Sequence, residues 1–452
     1  MLTRTILMLV AIQSIACTHV TDQPVSASAD PIHTSSAVPH SVINQEPISD
    51  VPSPNTLFAK RLPADVMRHR MSDDVEIARQ TLTASNCHAG GCTQGPIMIL
   101  THAGSRNSIT DIPTYYGQAS DPVYMITGGS APTNPAYNPL YKGFHAPNMA
   151  VTNGADSEDY FMVWDQTQDK YFTFYRFGGQ GVYRFPQCPG TINGQHHAGT
   201  MADPCPIGID PSDSMVNPRN DPKGYGVNSG NPWASNDMVA PLGQIRFQEL
   251  IQGHIYHAIY LNVLCEQNGW LKPDHSWGAA RVFPSTIGAA RACGNLSGTW
   301  TNVDKAPPGG ALFFLAYTDD ELGLLKRYMP AWQYPIVEAL AHYGGYVGDT
   351  GSPLHPSRLE SDDAYALAGV ANPFWNWIQG QAGINPGCGP YQCNLDWSDF
   401  SIAGGQCPAT GLCDILKHIH IADPCVAAQM AGEKGGCTTE GKHAKPGKKK
   451  QR

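Results

Sequence analysis

Apolar and polar positions alternate most cleanly between Asp159 and Arg176. Asp159-Tyr-Phe-Met-Val-Trp-Asp165 and Lys170-Tyr-Phe-Thr-Phe-Tyr-Arg176 are aromatic, β-forming runs separated by the polar stretch Gln166-Thr-Gln-Asp169, which predicts a hairpin. The period of two puts Phe172 and Phe174 on one face and Tyr171, Thr173 and Tyr175 on the other. Helical spacing takes over in two places. From Pro335 to Tyr343, Ile336, Leu340 and Tyr343 form one stripe, and Gly344 and Gly345 end it, which leaves Asp349 in a loop after a short Tyr-Val segment. A second, short helix begins near Phe247 and stops at Gly253, so that His257-Ala-Ile-Tyr-Leu-Asn-Val-Leu264 continues as a strand. The fold class expected is mainly β, sandwich or jelly-roll-like, with a few short helices.

Composition agrees with many short strands joined by turns: 15% charged residues, 46 Gly, 37 Pro and 19 Tyr in 452 residues. The formal net charge is −9 although the segment from Lys442 to Arg452 is strongly basic, so the body is more acidic than the total. Nucleic acid is therefore not an expected partner of the body. The tail, with Lys448-Lys449-Lys450, reads as a solvated, disordered end at 438–452.

Thirteen cysteines set the compartment. Cys17 follows Arg4, the apolar core Ile6 to Ile12 and the small-residue run Ser14-Ile15-Ala16, an export signal over residues 1–16 that is too short to span a bilayer. Acylation of Cys17 would supply a membrane anchor. Ser14-x-Ala16 also fits the cleavage rule of an unlipidated secreted protein, and both routes stay open. With Thr18 next, a lipidated chain is expected on the envelope, at the outer membrane in a Gram-negative cell, and otherwise in the periplasm or outside. Residues 17–55 are rich in Ser, Pro, Thr and Val and read as a disordered tether. The β-rich main domain then spans 56–385.

The remaining twelve cysteines pair most simply with their neighbours: Cys87 with Cys92, Cys188 with Cys205, and Cys265 with Cys293. Cys388, Cys393, Cys407, Cys413, Cys425 and Cys437 staple a disulfide-rich extension at 386–437, with connectivity left open. Cys87-His88-Ala-Gly-Gly-Cys92 has spacing compatible with zinc, but no matching second pair follows, and neither metal nor cofactor is expected.

Candidate chemistry rests on carboxylates and aromatic rings. Tyr171, Tyr175 and Arg176 would offer a face on which sugar rings stack, with Asp156, Glu158 and Asp159 at its rim. Glycosidic cleavage needs one group to protonate the leaving oxygen and a second to attack or to activate water. Asp156, Glu158, Asp159, Glu249, His257 and Asp349 are the candidates for those roles, and Tyr343 for substrate contact. The plainer alternatives are a solvated turn or, less simply, a calcium site at Asp156, Glu158 and Asp159, and a satisfied structural histidine at His254 and at His257. His196-His197 lies in a Gly-rich loop.

Several chemistries are excluded. Asp349-Thr350-Gly351-Ser352 spells the tetrapeptide of pepsin-like proteases, but no second copy exists to share its proton. His254-Ile-Tyr-His257 lacks the glutamate of a zinc peptidase, and the chain has no Gly-x-Ser-x-Gly elbow, phosphate loop or Ser-x-x-Lys. Trp375 and Trp377 would share a face in an extended segment, most simply for packing.

Three segments carry a family resemblance: Gly243-x-Ile245-x-x-x-Glu249-Leu-x-x-Gly253-x-Ile255-x-His257-Ala-Ile259, Pro308-x-Gly310-Ala-Leu-Phe313, and Ala339-Leu-Ala-His-Tyr343-Gly-Gly-Tyr-Val-Gly-Asp349. The chain over 130–352 resembles a family of uncharacterised secreted bacterial proteins found in actinobacteria and other soil bacteria. It departs at Phe283-Pro284-Ser285, where that family tends to have Trp-Pro-Ala. The resemblance implies that Glu249, His257, Tyr343 and Asp349 belong to one structural unit, as framework or as part of a cleft, and it implies no activity. The function expected is action on carbohydrate at the cell envelope, by a hydrolase or lyase using carboxylates. The alternatives are a non-catalytic module binding glycan or protein, and a structural envelope protein. Nothing in the sequence specifies an oligomeric state.

Overall fold

A computed structural model of the chain describes residues 55–69, 84–88, 91–94, 100–101, 111–112, 114–127, 141–148, 150, 158–177, 185–208, 214–218, 240–263, 281–285, 306–350, 359–360, 394–395 and 415–433, with isolated positions 75, 78, 377 and 412. Contacts divide the chain into Met1–Ala37 and Val38–Arg452, and every described residue belongs to the second unit. The leader, Cys17, the tether, Asp156, most of the disulfide-rich extension and the basic tail lie outside the described residues. Described strands gather in small sheets accompanied by a few helices, so the chain is β-rich with short helical elements.

The predicted hairpin forms. Strands β8 (Glu158–Asp165) and β9 (Lys170–Phe177) pair antiparallel with Asp165 opposite Lys170. β13 (Ser214–Pro218) adds antiparallel to β9, and β5 (Thr114–Gly117) adds parallel to β8. Asp165 builds the turn: one oxygen accepts from the backbone N–H of Thr167 at 2.8 Å and from its hydroxyl at 2.6 Å. Its other oxygen accepts from the His145 backbone N–H at 2.8 Å and from Gln168 Nε2 at 2.9 Å. Such a side chain-to-backbone turn calls for a short side chain with an acceptor oxygen at its first position, which Asp165 supplies.

Among the described side chains, both faces of this sheet are buried. Phe172 and Phe174 pack with Phe144, Phe185, Tyr115 and Tyr124, the Phe144 and Phe172 rings stacking at 4.7 Å. On the opposite face Tyr116, Trp164 and Tyr171 join a second cluster, with Trp164 and Tyr171 at 6.0 Å. Behind the Phe172 face, β6 (Val123–Ile126) lies between β7 (Phe144–His145) and β12 (Cys205–Ile207). A Cys188–Cys205 disulfide ties β12 to the preceding loop, as nearest-neighbour pairing anticipates. In the pair β1 (Ala84–His88) and β2 (Gly91–Gln94), Cys87 stands opposite Cys92. Cys425 is disulfide-bonded as well.

His196 and His197 do not sit in a loop. They belong to β11 (Gln195–His197), which pairs with β10 (Gly190–Ile192) across Asn193 and Gly194, both at positive φ, the Asn-Gly signature of a tight hairpin. Two-residue pairs complete the inventory: β3 (Leu100–Thr101) with β18 (Asn394–Leu395), and β4 (Asp111–Ile112) with β17 (Leu359–Glu360).

A second four-stranded sheet follows the order β14 (Ile259–Val263), β16 (Gly345–Thr350), β15 (Leu312–Leu315), β19 (Ile419–Ile421). β14 and β16 are parallel, whereas β15 is antiparallel to both its neighbours. Helix α1 (Phe247–Gln252) ends at Gly253 in the left-handed region, and α3 (Tyr334–His342) ends where Gly344 takes φ +77, both as the glycines predict. Between β15 and α3 lies α2 (Asp319–Tyr328), whose Thr318 and Glu321 form a capping box. Asp349 is not in a loop: it stands in β16, opposite Asn262 of β14. The Tyr346-Val347 run extends because β16 pairs on both sides, which the sequence segment alone does not reveal.

Phe247, Leu250, Ile259, Leu261, Phe313, Ile336, Leu340 and Val347 form a core between the helices and this sheet, with the helical Trp377 packed against it. The sheet's other face, through Tyr260, Leu312, Phe314 and Tyr346, shares a cluster with Tyr116, Trp164 and Tyr171 of the first sheet. Residues 55–69 run across the edge of this layer as a strap. Phe58 is fully buried and its carbonyl accepts from Ala258 N at 2.7 Å, while Leu62 N donates to His342 O at 2.7 Å. His69 N then donates to Ile421 O, also at 2.7 Å. Short helix α4 (Cys425–Met430) closes the described chain and receives Lys60 Nζ on Met430 O at 2.9 Å.

Candidate functional site

The expected sugar-stacking face is covered at Tyr171. Tyr171 is fully buried against Trp164, so its ring belongs to the core and not to a binding surface, a correction to the sequence reading. The second sheet supplies the cover, which is a tertiary fact invisible in local alternation. Glu158, Asp159, Tyr175 and Arg176 lie on the paired strands, Glu158 opposite Phe177, Asp159 opposite Arg176 and Tyr160 opposite Tyr175. Their side chains, like that of Asp349, lie outside the described residues.

Glu249 and His257 come together, but in the interior. Both have zero exposure, and His257 Nε2 stands 3.0 Å from Glu249 Oε1. His257 Nδ1 faces the Ala258 carbonyl at 2.9 Å, so both ring nitrogens have a hydrogen-bond partner. Glu249 Oε2 accepts from the Arg246 backbone N–H at 2.9 Å, and the Arg246 guanidinium, 2% exposed as a residue, lies 4.0 Å away. Arg246 donates to Gln244 O at 3.3 Å, and Thr114 Oγ1 donates to Gln244 Oε1 at 2.8 Å. This polar strut links α1 and β14 to β5 of the first sheet. Sealed from solvent, the pair is framework in this structure, and it offers no route for a polymer to reach the carboxylate.

Asp165 is equally enclosed, and its acidity reports the turn that it builds. Burial is the largest single influence and pushes its carboxyl up; hydrogen bonds from the His145 ring, Thr167 and the His145 backbone together outweigh it and hold the group below its ordinary value. A carboxylate depressed in the folded state stabilises the protein above its unfolded value, and that contribution fades as pH falls through the folded value. Asp165→Asn is therefore expected to lower stability at pH 7 by about 1–3 kcal/mol. Urea midpoints at pH 7 and at pH 3 check this: the wild-type chain should lose more on acidification than the variant.

An open groove of about 690 Å³ lies between the strap and the edge of the second sheet. Arg61, Asp65 and Arg68 line it from the strap; Phe314, Tyr317, Thr318 and Asp319 line it from the end of β15 and the start of α2. His342 closes one end from α3. Arg61, Asp65, Arg68 and Asp319 are exposed. Among the described residues, neither guanidinium is engaged in an ion pair. Asp319 Oδ1 is 3.0 Å from His342 Nε2, and the Tyr317 ring stacks on His418 at 4.3 Å while its hydroxyl donates to Leu412 O at 2.8 Å. These residues reach one wall from three separate stretches of chain, and no spacing in the sequence relates them.

A second polar face adjoins the groove at Tyr343, next to His342. Burial pushes the Tyr343 hydroxyl above its ordinary value, Arg61 pulls it back, and Tyr256 and Glu338 add to the rise, so these four groups are within electrostatic reach. His254 Nδ1 meets Glu338 Oε2 at 2.8 Å, and Tyr334 donates its hydroxyl to Glu338 Oε1 at 3.0 Å. Desolvation and the Glu338 charge raise the Tyr334 hydroxyl too, which keeps it a donor. Lys326 Nζ stands 5.1 Å from the Tyr334 ring centre. Sequence reasoning treated His254 as a structural histidine and did not single out Arg61, Arg68, Tyr256, Asp319, Glu338 or His342. The one available signal was the alternation after Gly253, where His254 and Tyr256 point away from the core that takes Ile255 and His257.

Among the described residues, no group of three or more His, Cys, Asp or Glu is arranged to hold a metal ion. No described helix is long and apolar enough to cross a membrane. No protein-family model, curated protein or solved structure matches the chain.

Proposed function

We propose that this chain is an exported module of the cell envelope, anchored through an acylated Cys17, that binds glycan without cleaving it. The observation that carries the reading is the open groove, whose two exposed guanidiniums are available to a ligand. Arginine presents a planar fork of donors suited to oxygen-rich ligands, and Tyr317 adds an aromatic wall. A net charge of −9 confines anion binding to such a local patch and disfavours nucleic acid. The Cys188–Cys205 disulfide is compatible with export. The tether would let the body reach polymer beyond the membrane surface. The shared aromatic cluster of the two four-stranded sheets supports a sandwich-like body as the rigid mount for the groove.

Glycan hydrolysis is the second reading, and one observation favours it: Asp65 and Asp319 both line the groove. Against it, both are exposed, whereas a general acid is enclosed by apolar surface that keeps it protonated. Incubation of the exported full chain with a panel of polysaccharides separates the two. Retention without release of oligosaccharides, weakened about tenfold or more in an Arg61→Gln/Arg68→Gln variant, is the expected result. Oligosaccharide release that disappears in Asp319→Asn would replace the binding reading by the hydrolytic one.

A further inference from the structure

Tyr256 is the most exposed aromatic ring among the described residues, half of its surface open to solvent. Exposed tyrosines are common, but this one is braced from behind. Its ring stacks on His254 at 5.6 Å with 22° between planes, His254 is held by Glu338 at 2.8 Å, and Glu338 by Tyr334 at 3.0 Å. Three side chains thus back one ring that keeps half of its surface open to solvent. Preorganisation of this kind lowers the ordering cost of binding. The strap brings platform and groove together: Ala258, two residues after Tyr256, donates its N–H to Phe58 O at 2.7 Å, and Leu62, next to Arg61, donates to the carbonyl of the groove residue His342 at 2.7 Å.

Charge narrows the ligand. The groove opposes Arg61 and Arg68 with Asp65 and Asp319, so it offers guanidinium forks without a large excess of positive charge. A densely sulfated or phosphorylated polymer gains most from excess cationic charge; a sugar with a single carboxylate gains mainly from one well-aimed fork. We infer that the groove and the Tyr256 platform form two adjoining subsites for a uronate-containing polysaccharide, Arg61 pairing with a ring carboxylate while a neighbouring pyranose stacks on Tyr256. The inference rests on the glycan-binding reading above and deepens it.

The test uses the exported full chain and four probes in affinity electrophoresis: polygalacturonate, the same polymer fully methyl-esterified, a neutral galactan, and a heavily sulfated polysaccharide. Polygalacturonate is expected to be retained most strongly, with esterification weakening retention about tenfold or more. Arg61→Gln should reproduce the loss from esterification and be insensitive to it, and Tyr256→Ala should weaken retention of polygalacturonate about fivefold to thirtyfold. Met201→Ala, another exposed apolar side chain, serves as a control and should change nothing. Both test residues are exposed, so unchanged denaturation midpoints will verify folding. Equal retention of the esterified polymer, or of the sulfated polymer above the uronate, overturns the uronate assignment while leaving glycan binding intact. Loss in Arg61→Gln with none in Tyr256→Ala overturns the two-subsite arrangement. Retention of none of the four probes overturns the glycan-binding reading itself.

Discussion

Replacing Glu249 by alanine is expected to destabilise the protein by about 3–5 kcal/mol, because it removes the one carboxylate from a buried cluster that also holds His257 and Arg246. The magnitude follows from what is left behind. His257 has zero exposure and Arg246 is 2% exposed, so neither can turn to water when the carboxylate is removed. The Arg246 backbone N–H loses its acceptor at the start of α1 as well. Glu249→Gln retains an oxygen for one of these contacts and should cost less, about 1–3 kcal/mol. Urea denaturation with an unchanged slope would measure both variants. A Glu249→Ala protein within about 0.5 kcal/mol of wild type that fails to act on glycan would return Glu249 to a catalytic role.

Tyr171→Ala carries the second large effect, also about 3–5 kcal/mol, the range for truncating a large aromatic side chain in a core. Local alternation assigns Tyr171 to the face opposite Phe172 and Phe174, where a binding surface would be cheap to alter. In the folded chain the ring is fully buried beside Trp164 and shares a cluster with Tyr260 and Tyr346 of the other sheet. Truncation therefore opens a cavity between the two sheets. Thermal or urea unfolding distinguishes the outcomes: a change under about 0.5 kcal/mol, together with lost glycan binding, would restore the exposed face.

Elements whose signals are local were legible. The hairpin register with Asp165 opposite Lys170, the end of α1 at Gly253 and the end of α3 at Gly344 follow from alternation, turn composition and glycine's tolerance of positive φ. The Cys188–Cys205 bridge follows from proximity along the chain. Errors arose where a partner distant in sequence supplies the decisive term. Asp349 extends because β14 pairs alongside it. His196 and His197 are a different case: they extend through the tight hairpin at Asn193-Gly194, a local signal that the Gly-rich loop reading passed over.

The candidate site was harder to read than the fold, for the same reason. Arg61 and Arg68 sit in an irregular strap beside a polar tether, where a charged residue is the default for any solvated segment. Only the strap's hydrogen bonds to His342 and Ile421 bring those guanidiniums opposite Tyr317 and Asp319. Glu249 and His257, by contrast, stood out from their motif, yet their burial makes them a strut.

Residue order alone carries the alternation, the caps, the turn at Asp165 and the export-like leader with its cysteines, since each depends on neighbours within a few positions. Which faces are covered, which ionisable groups are enclosed and which side chains share the groove are settled by packing between segments hundreds of residues apart, such as Lys60 on Met430, separated by 370 positions. Burial and convergence are properties of the assembled chain, and those two properties separate an enclosed carboxylate such as Glu249 from a groove-lining guanidinium such as Arg61.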